Sequence, residues 1–213
     1  MKYVAAIDVG GTFIKAALVS EDLAIVETLH ADTPKNDLTG ELTASAIAGL
    51  VTQFEKVQPV SAIGFAVPGT IDEVEGVVRW AGNMKWKNIP IRALVEKATN
   101  KPVAFRHDVR TGMVAEHRKG AAQGFQQSIF IPVGTGIAAA FVIDGEIRTS
   151  DGYAGEIGHV NVGAPRPCVC GKTGCLEAIS SALAIANNYR EKSGKELTSE
   201  EILIASKTGD RKS

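Results

Sequence analysis

The sequence predicts a duplicated α/β fold, and three observations carry that reading. Apolar runs rich in β-branched residues alternate with segments whose apolar residues recur at helical spacing. A strand, a Gly/Thr turn and a second strand open the chain in YVAAIDVGGTFIKAALVS, and the same theme returns in SIFIPVGTGIAAAFVIDG. The 213 residues are 45% hydrophobic with a formal net charge of −1, a globular composition that fits one large domain or two small ones.

The elements follow in order. YVAAIDV and FIKAALVS flank Gly10-Gly11 as a hairpin, and AIVETLHA reads as a third strand. LTASAIAGLVTQFEKV has the apolar spacing of a helix, and SAIGFAV is a strand that stops at the turn Pro68-Gly69. VVRWAG reads as another strand. A second cycle then begins, with IRALVEKATN helical, KPVAFRHD extended and VRTGMVAEHRKGAA helical again, before the strand–turn–strand theme repeats. The halves are expected to divide near residue 107, giving domains 1–106 and 107–213.

Composition narrows the function. No Lys/Arg block supplies an electrostatic footprint for nucleic acid or an anionic membrane, and no apolar run is long enough to cross a bilayer. Neither end shows the basic start and short apolar run of a signal peptide, so a cytoplasmic protein with small-molecule partners is expected. Two nucleotide motifs are decoys. Gly134-Thr135-Gly136 with Ala139 fits G-x-G-x-x-A, but the residues that follow read as a strand, whereas pyrophosphate binding needs a helix there. Gly171-Lys172-Thr173 imitates the end of a Walker A loop without the glycine five positions earlier.

The two turns themselves suit phosphate. Glycine and threonine in a tight turn let backbone N–H groups and hydroxyls approach phosphate oxygens without a Cβ in the way. Asp8 ends the first strand beside Gly10, Gly11 and Thr12, where its carboxylate is placed to hold Mg²⁺ directly or through water. One such turn alone reads more readily as a plain hairpin, since glycine is the default turn residue; two at corresponding places in a duplicated fold shift the balance toward a phosphate site. Gly134, Thr135 and Gly136 form the second half of this nucleotide set, and Lys15 joins the first.

All three cysteines lie in CVCGKTGC. With His159 they spell H-x8-C-x-C-x4-C, a Cys₃His set made of His159, Cys168, Cys170 and Cys175 that matches a closed, tetrahedral structural zinc site. Gly171 and Gly174 let the chain fold sharply around a metal. Glu156 and Glu177 flank the cluster, so the metal loop gathers Glu156, His159 and Glu177 into one locality with the hydrogen-bonding capacity to hold a polyol. His159 is expected to use one ring nitrogen for zinc and the other toward the sugar. Read alone, the glutamates are solvated surface charges and Asp108, between an extended segment and a helix, is a helix N-cap.

These residues together resemble the ROK family (repressors, open reading frames and sugar kinases) of the actin-like ATPase superfamily. The resemblance rests on Asp8-Val9-Gly10-Gly11-Thr12, Pro132-Val133-Gly134-Thr135-Gly136, EIGHV, CVCGKTGC and LEA, between residues 8 and 177. It implies duplicated actin-like ATPase (ribonuclease H-like) domains with ATP and a sugar in a central cleft. Family kinases continue for about another third of their length, so the second domain is expected to be incomplete, the chain being a fragment or its adenine pocket partial. The implied activity is ATP-dependent phosphorylation of a hexose, most like glucokinase making glucose 6-phosphate, with ATP, Mg²⁺ and structural Zn²⁺.

The resemblance also reassigns residues. Asp108 becomes the general base that takes the proton of the attacking sugar hydroxyl, and Glu156, His159 and Glu177 become sugar ligands. Asn83 matches a further sugar-side position. Family kinases carry Asn-Asp where this chain has His107-Asp108, which puts an imidazole in the sugar-binding set; that imidazole is expected to titrate near neutral pH and weaken the base in mild acid. A homodimer is expected. The rivals are a sugar-sensing regulator of the same family and an inactive sugar-binding remnant; the chain running from Met1-Lys2-Tyr3-Val4 straight into its first strand is read as leaving no room for a winged helix-turn-helix.

Overall fold

The opening strands β1 (Tyr3–Val9), β2 (Phe13–Ser20) and β3 (Ile25–Asp32) form an antiparallel meander in a computed structural model that describes residues 1–207 and 209. Strict alternation points Ala5, Ile7 and Val9 of β1 and Ile14, Ala16 and Leu18 of β2 to one buried face. Asp8 and Lys15 stand opposite one another on the other face. The helix α1 (Glu41–Phe54) covers the buried face with Ile47, Leu50, Val51 and Phe54, an i, i+3, i+4, i+7 stripe. Each of these side chains contributes roughly 1.5–3 kcal/mol by leaving water. Before α1, the carboxylate of buried Asp37 accepts the N–H groups of Gly40 and Thr43 and so satisfies donors that the helix start would leave open.

The chain then returns as β4 (Val60–Val67), parallel to β1. A small antiparallel sheet follows, made of β5 (Thr70–Asp72), β6 (Val77–Ala81) and β7 (Trp86–Ile89). Trp86 anchors it: the ring is 1% exposed and its Nε1 donates to the Asp37 carbonyl at 2.6 Å. The helix α2 (Ile91–Thr99) ends at Asn100 in the left-handed conformation. Next, β8 (Val103–His107) pairs parallel to β4 and leads without a loop into α3 (Asp108–Lys119). The large sheet is therefore ordered β3-β2-β1-β4-β8.

A second antiparallel meander comprises β9 (Gln127–Phe130), β10 (Ala140–Ile143) and β11 (Glu146–Ile147), in the order β11-β10-β9. It repeats the first meander, as the duplicated pattern predicts. Its strands are shorter than the apolar run, because Pro132 lacks an N–H for a ladder; Gly134 to Gly136 are instead closed by a bridge between Val133 and Ile137. A strand follows that turn, not a helix, so the dinucleotide reading fails structurally as expected. Three helices complete the described chain: α4 (Glu177–Ser180), α5 (Ala182–Ser193), capped by Ser181 Oγ on the Ala184 N–H, and α6 (Ser199–Lys207). No described helix is long and apolar enough to cross a membrane.

Contacts divide the chain into two compact units, Met1–Ala115 with Thr149–Tyr153, and Glu116–Arg148 with Ala154–Ser213. The division falls inside α3, a helix that begins at the edge of one core and continues beyond it.

Candidate functional site

In the first unit the hairpin turn after β1 is held from several sides. The Gly10 N–H donates to the Phe13 carbonyl at 3.0 Å, and Thr33 donates its Oγ to the Gly10 carbonyl at 2.7 Å and its N–H to that of Thr12 at 2.9 Å. The exposed side chain of Asn83, in the β6–β7 turn, lies over this turn: a Cβ at Gly11 would stand 3.3 Å from Asn83 Nδ2. A side chain at position 11 would need Asn83 to give way by a few tenths of an ångström. Asp8 sits at the mouth of the same turn; although it lies on the accessible face, desolvation by its neighbours raises its carboxyl above the ordinary value, while Lys15 across the ladder works the other way. The predicted nucleotide residues Asp8, Gly10, Gly11, Thr12 and Lys15 and the predicted sugar residue Asn83 thus share one corner of this unit.

Asp108 stands where β8 becomes α3. It is half-buried, and its Oδ1 accepts the N–H of Val109 at 2.7 Å. Its neighbour His107 differs from the expectation of a titrating imidazole. His107 is only 5% exposed, with Nδ1 at 3.3 Å from Asp108 Oδ1. Burial, with the nearby charge of Arg110 acting in the same direction, lowers its pKa from 6.5 to about 4. The imidazole is neutral in mild acid and does not act there as a cation beside Asp108. Sequence reasoning passed over two residues that hold this corner. Arg110 is 1% exposed and its Nε donates to Glu73 Oε1 at 2.8 Å; the same oxygen accepts the N–H of His107 at 3.2 Å. A charged residue in a helical stretch gives no sign in sequence that it is buried.

In the second unit the turn Gly134–Gly136 is joined to Glu177. Glu177 Oε2 accepts the N–H of Ile137 at 2.9 Å, the Gly134 N–H donates to the Gly136 carbonyl at 3.0 Å, and the Ala182 N–H donates to the Gly134 carbonyl at 2.8 Å. A Cβ at Gly136 would collide with Glu177 Oε2, so only glycine leaves the carboxylate in place. One predicted sugar ligand therefore touches the predicted phosphate turn. Thr135 is exposed at its tip.

His159, Cys168, Cys170 and Cys175 come together as their spacing predicts, with ligand atoms all within 4.8 Å of one another. Gly171 and Gly174, at φ +84° and +95°, turn the loop, and the Cys168 N–H donates to the Lys172 carbonyl at 2.8 Å. Tetrahedral zinc with Zn–S of about 2.3 Å requires sulfurs nearly 4 Å apart, and the Cys170–Cys175 separation is 3.7 Å with Cys168 Sγ at 3.6 Å from His159 Nδ1. The donor set fits zinc. Cys175 is 1% exposed, and desolvation together with hydrogen bonds and charge from the other two cysteines pushes its thiol up to about 12. A metal cation reverses that penalty by taking the thiolate. His159 presents Nδ1 to the cysteines, while Nε2 lies 4.0 Å from Glu156 Oε2.

Two strand–turn–strand meanders on mixed α/β units, each closing on a glycine-rich turn, match the fold of the actin-like ATPase superfamily. The sequence model of the ROK family matches residues 4–213, and the chain belongs to that family. It is 36% identical over 190 residues to a glucokinase of Halalkalibacterium halodurans, which takes in 84% of this chain and 57% of the relative. The structure of a ROK family glucokinase from Streptomyces griseus in complex with glucose and AMPPNP superposes with a TM-score of 0.85 at 28% identity, over 99% of this chain and 72% of that one. A xylose repressor of Caldicellulosiruptor bescii is 32% identical over 167 residues, 71% of this chain and 42% of its own. The chain spans less than two thirds of the length of these curated relatives.

Proposed function

We propose that the protein phosphorylates a hexose at the expense of ATP, with glucose as the acceptor and glucose 6-phosphate as the product. Asp108 accepts the proton of the attacking sugar hydroxyl; the freed oxygen bonds to the γ-phosphorus as the bond to the β–γ bridging oxygen breaks, and ADP leaves. Gly10, Gly11, Thr12, Gly134, Thr135 and Gly136 offer backbone and hydroxyl groups to the phosphates, and Lys15 adds a positive charge. Asp8 is the group placed to hold Mg²⁺. Asn83, His107, Glu156, His159 and Glu177 contact sugar hydroxyls. His159, Cys168, Cys170 and Cys175 hold a structural zinc, which supplies local folding and no chemistry because four protein ligands close its shell. The protein works as a homodimer in the cytoplasm.

The observation that carries this reading is Asp108 itself: a half-exposed carboxylate fixed by a backbone N–H at the first residue of a helix, in a chain related to glucokinases. Similarity to a xylose repressor favours a second reading, a regulator that binds sugar and transfers nothing. ADP release measured with glucose, mannose and an N-acetylated hexosamine separates the two. The expected result is turnover with glucose, lost by ~10²–10⁴-fold in Asp108→Asn, while sugar affinity stays within about tenfold. Sugar binding without ADP release in the wild type would leave the regulator, and turnover retained by Asp108→Asn would reduce Asp108 to a helix-start residue.

A further inference from the structure

We propose that Glu73, held by Arg110, is a positioning residue that sets the direction of the Asp108 carboxylate; the proposal rests on the reading of Asp108 as the base. Glu73 follows β5 in the turn toward β6, far from Asp108 in sequence, and its side chain is 21% exposed. A single oxygen, Oε1, accepts two hydrogen bonds, from the His107 N–H at 3.2 Å and from Arg110 Nε at 2.8 Å. His107 is the residue before Asp108 and Arg110 is two after it. The carboxylate therefore ties down the chain on both sides of the base, at the point where strand geometry changes to helix.

The other contacts of the pair keep that tether rigid. Glu73 Oε2 lies 3.6 Å from Arg106 Nε, so the carboxylate is flanked by two guanidinium groups. Arg110 Nη1 lies 3.4 Å from the Gly152 carbonyl, and Gly152, at φ +92°, stands so close to the Ile71 carbonyl that no Cβ fits. Arg110 thus joins β5, the Thr149–Tyr153 segment and the first turn of α3. Arg110 Nη2 is buried with no partner. A buried ion pair that leaves a donor unmatched is weak as a stabilising device, since apolar residues of like volume do as well or better. Its distinctive property is fixed direction, which a base needs: displacing a reacting group by about 1 Å lowers turnover by as much as ~10²-fold.

Three variants of the full chain test this, each read for kcat, for sugar KM and for hydrogen exchange at the His107 amide. Glu73→Asp keeps the negative charge beside Arg110 but withdraws the acceptor by one methylene. It should fold, lower kcat by ~10–100-fold, leave sugar KM within about threefold, and speed exchange at His107. Glu73→Gln keeps an acceptor oxygen at the right reach and should retain kcat within about tenfold, with the His107 amide still protected. Glu73→Ala should lose both protection and turnover. Folded Glu73→Asp protein with wild-type kcat, or with an unchanged His107 amide, would overturn the proposal. So would a fall confined to KM, which a general loosening of the fold produces. If the wild type itself releases no ADP, the functional reading fails, and the His107 amide in Glu73→Asp still decides whether Glu73 holds the chain.

Discussion

Acidification should destabilise the first unit through His107, and the size of the effect follows from its surroundings. The ring is 5% exposed, burial and then Arg110 lower its pKa to about 4, and the unfolded chain releases the same residue at the ordinary value of 6.5. Above pH 6.5 the imidazole is neutral in both states and contributes no pH dependence. Between 6.5 and about 4 only the unfolded chain takes up the proton, so stability is lost as pH falls through that window and levels off below it. At about 1.4 kcal/mol per pH unit the loss reaches about 3 kcal/mol, a large share of the 5–15 kcal/mol typical of a domain. Glu73 at its backbone N–H and Asp108 near Nδ1 are the negative groups facing it, and neither outweighs the burial. Urea unfolding of wild type and His107→Asn at about pH 7.5 and about pH 4.5 measures the effect, the mutant lacking the titrating ring. Wild type should lose about 3 kcal/mol more than the mutant over this range. Parallel pH curves, or an imidazole NMR signal that titrates near 6.5 in the folded protein, would refute the reasoning.

Metal analysis should find about one zinc per chain, and Cys170→Ser should lose both the metal and sugar binding, because a closed site gives its ligation energy to local folding; a metal-free protein that binds sugar normally contradicts this. Gly136→Ala should push Glu177 off the Ile137 N–H, cost about 1.5–3 kcal/mol in urea unfolding as the loss of a hydrogen bond to a charged group, and raise sugar KM because Glu177 is displaced; an unchanged KM would remove Glu177 from the sugar site. Trp86→Phe should cost about 1–3 kcal/mol in urea unfolding, since it leaves the buried Asp37 carbonyl without its donor.

Legibility followed the range of the interactions. The first meander, α1 and the Cys/His loop are readable because each is specified by residues near one another in sequence: period-two alternation, a helical apolar stripe, and a histidine and three cysteines close enough along the chain to gather. The small β5–β6–β7 sheet was read only at β6, since its outer strands are three and four residues long and too short to display a period. The environment of His107 was misjudged for another reason. Its neutrality comes from burial and from Arg110, and Arg110 is buried because Glu73, 37 residues earlier, meets it. No local pattern encodes that encounter, and nothing in the sequence HDVR marks its histidine and arginine as buried.

The bracing of the first turn by Thr33 ties the tip of the opening hairpin to the end of the third strand. One residue grips both flanks of Gly11: its hydroxyl holds the Gly10 carbonyl and its N–H holds the Thr12 carbonyl. The main-chain half of that grip survives any side chain at position 33, whereas the other half needs a hydroxyl. Thr33→Val keeps the shape and removes that single bond, so the glycine turn would be pinned on one flank only while the strands behind it stay paired.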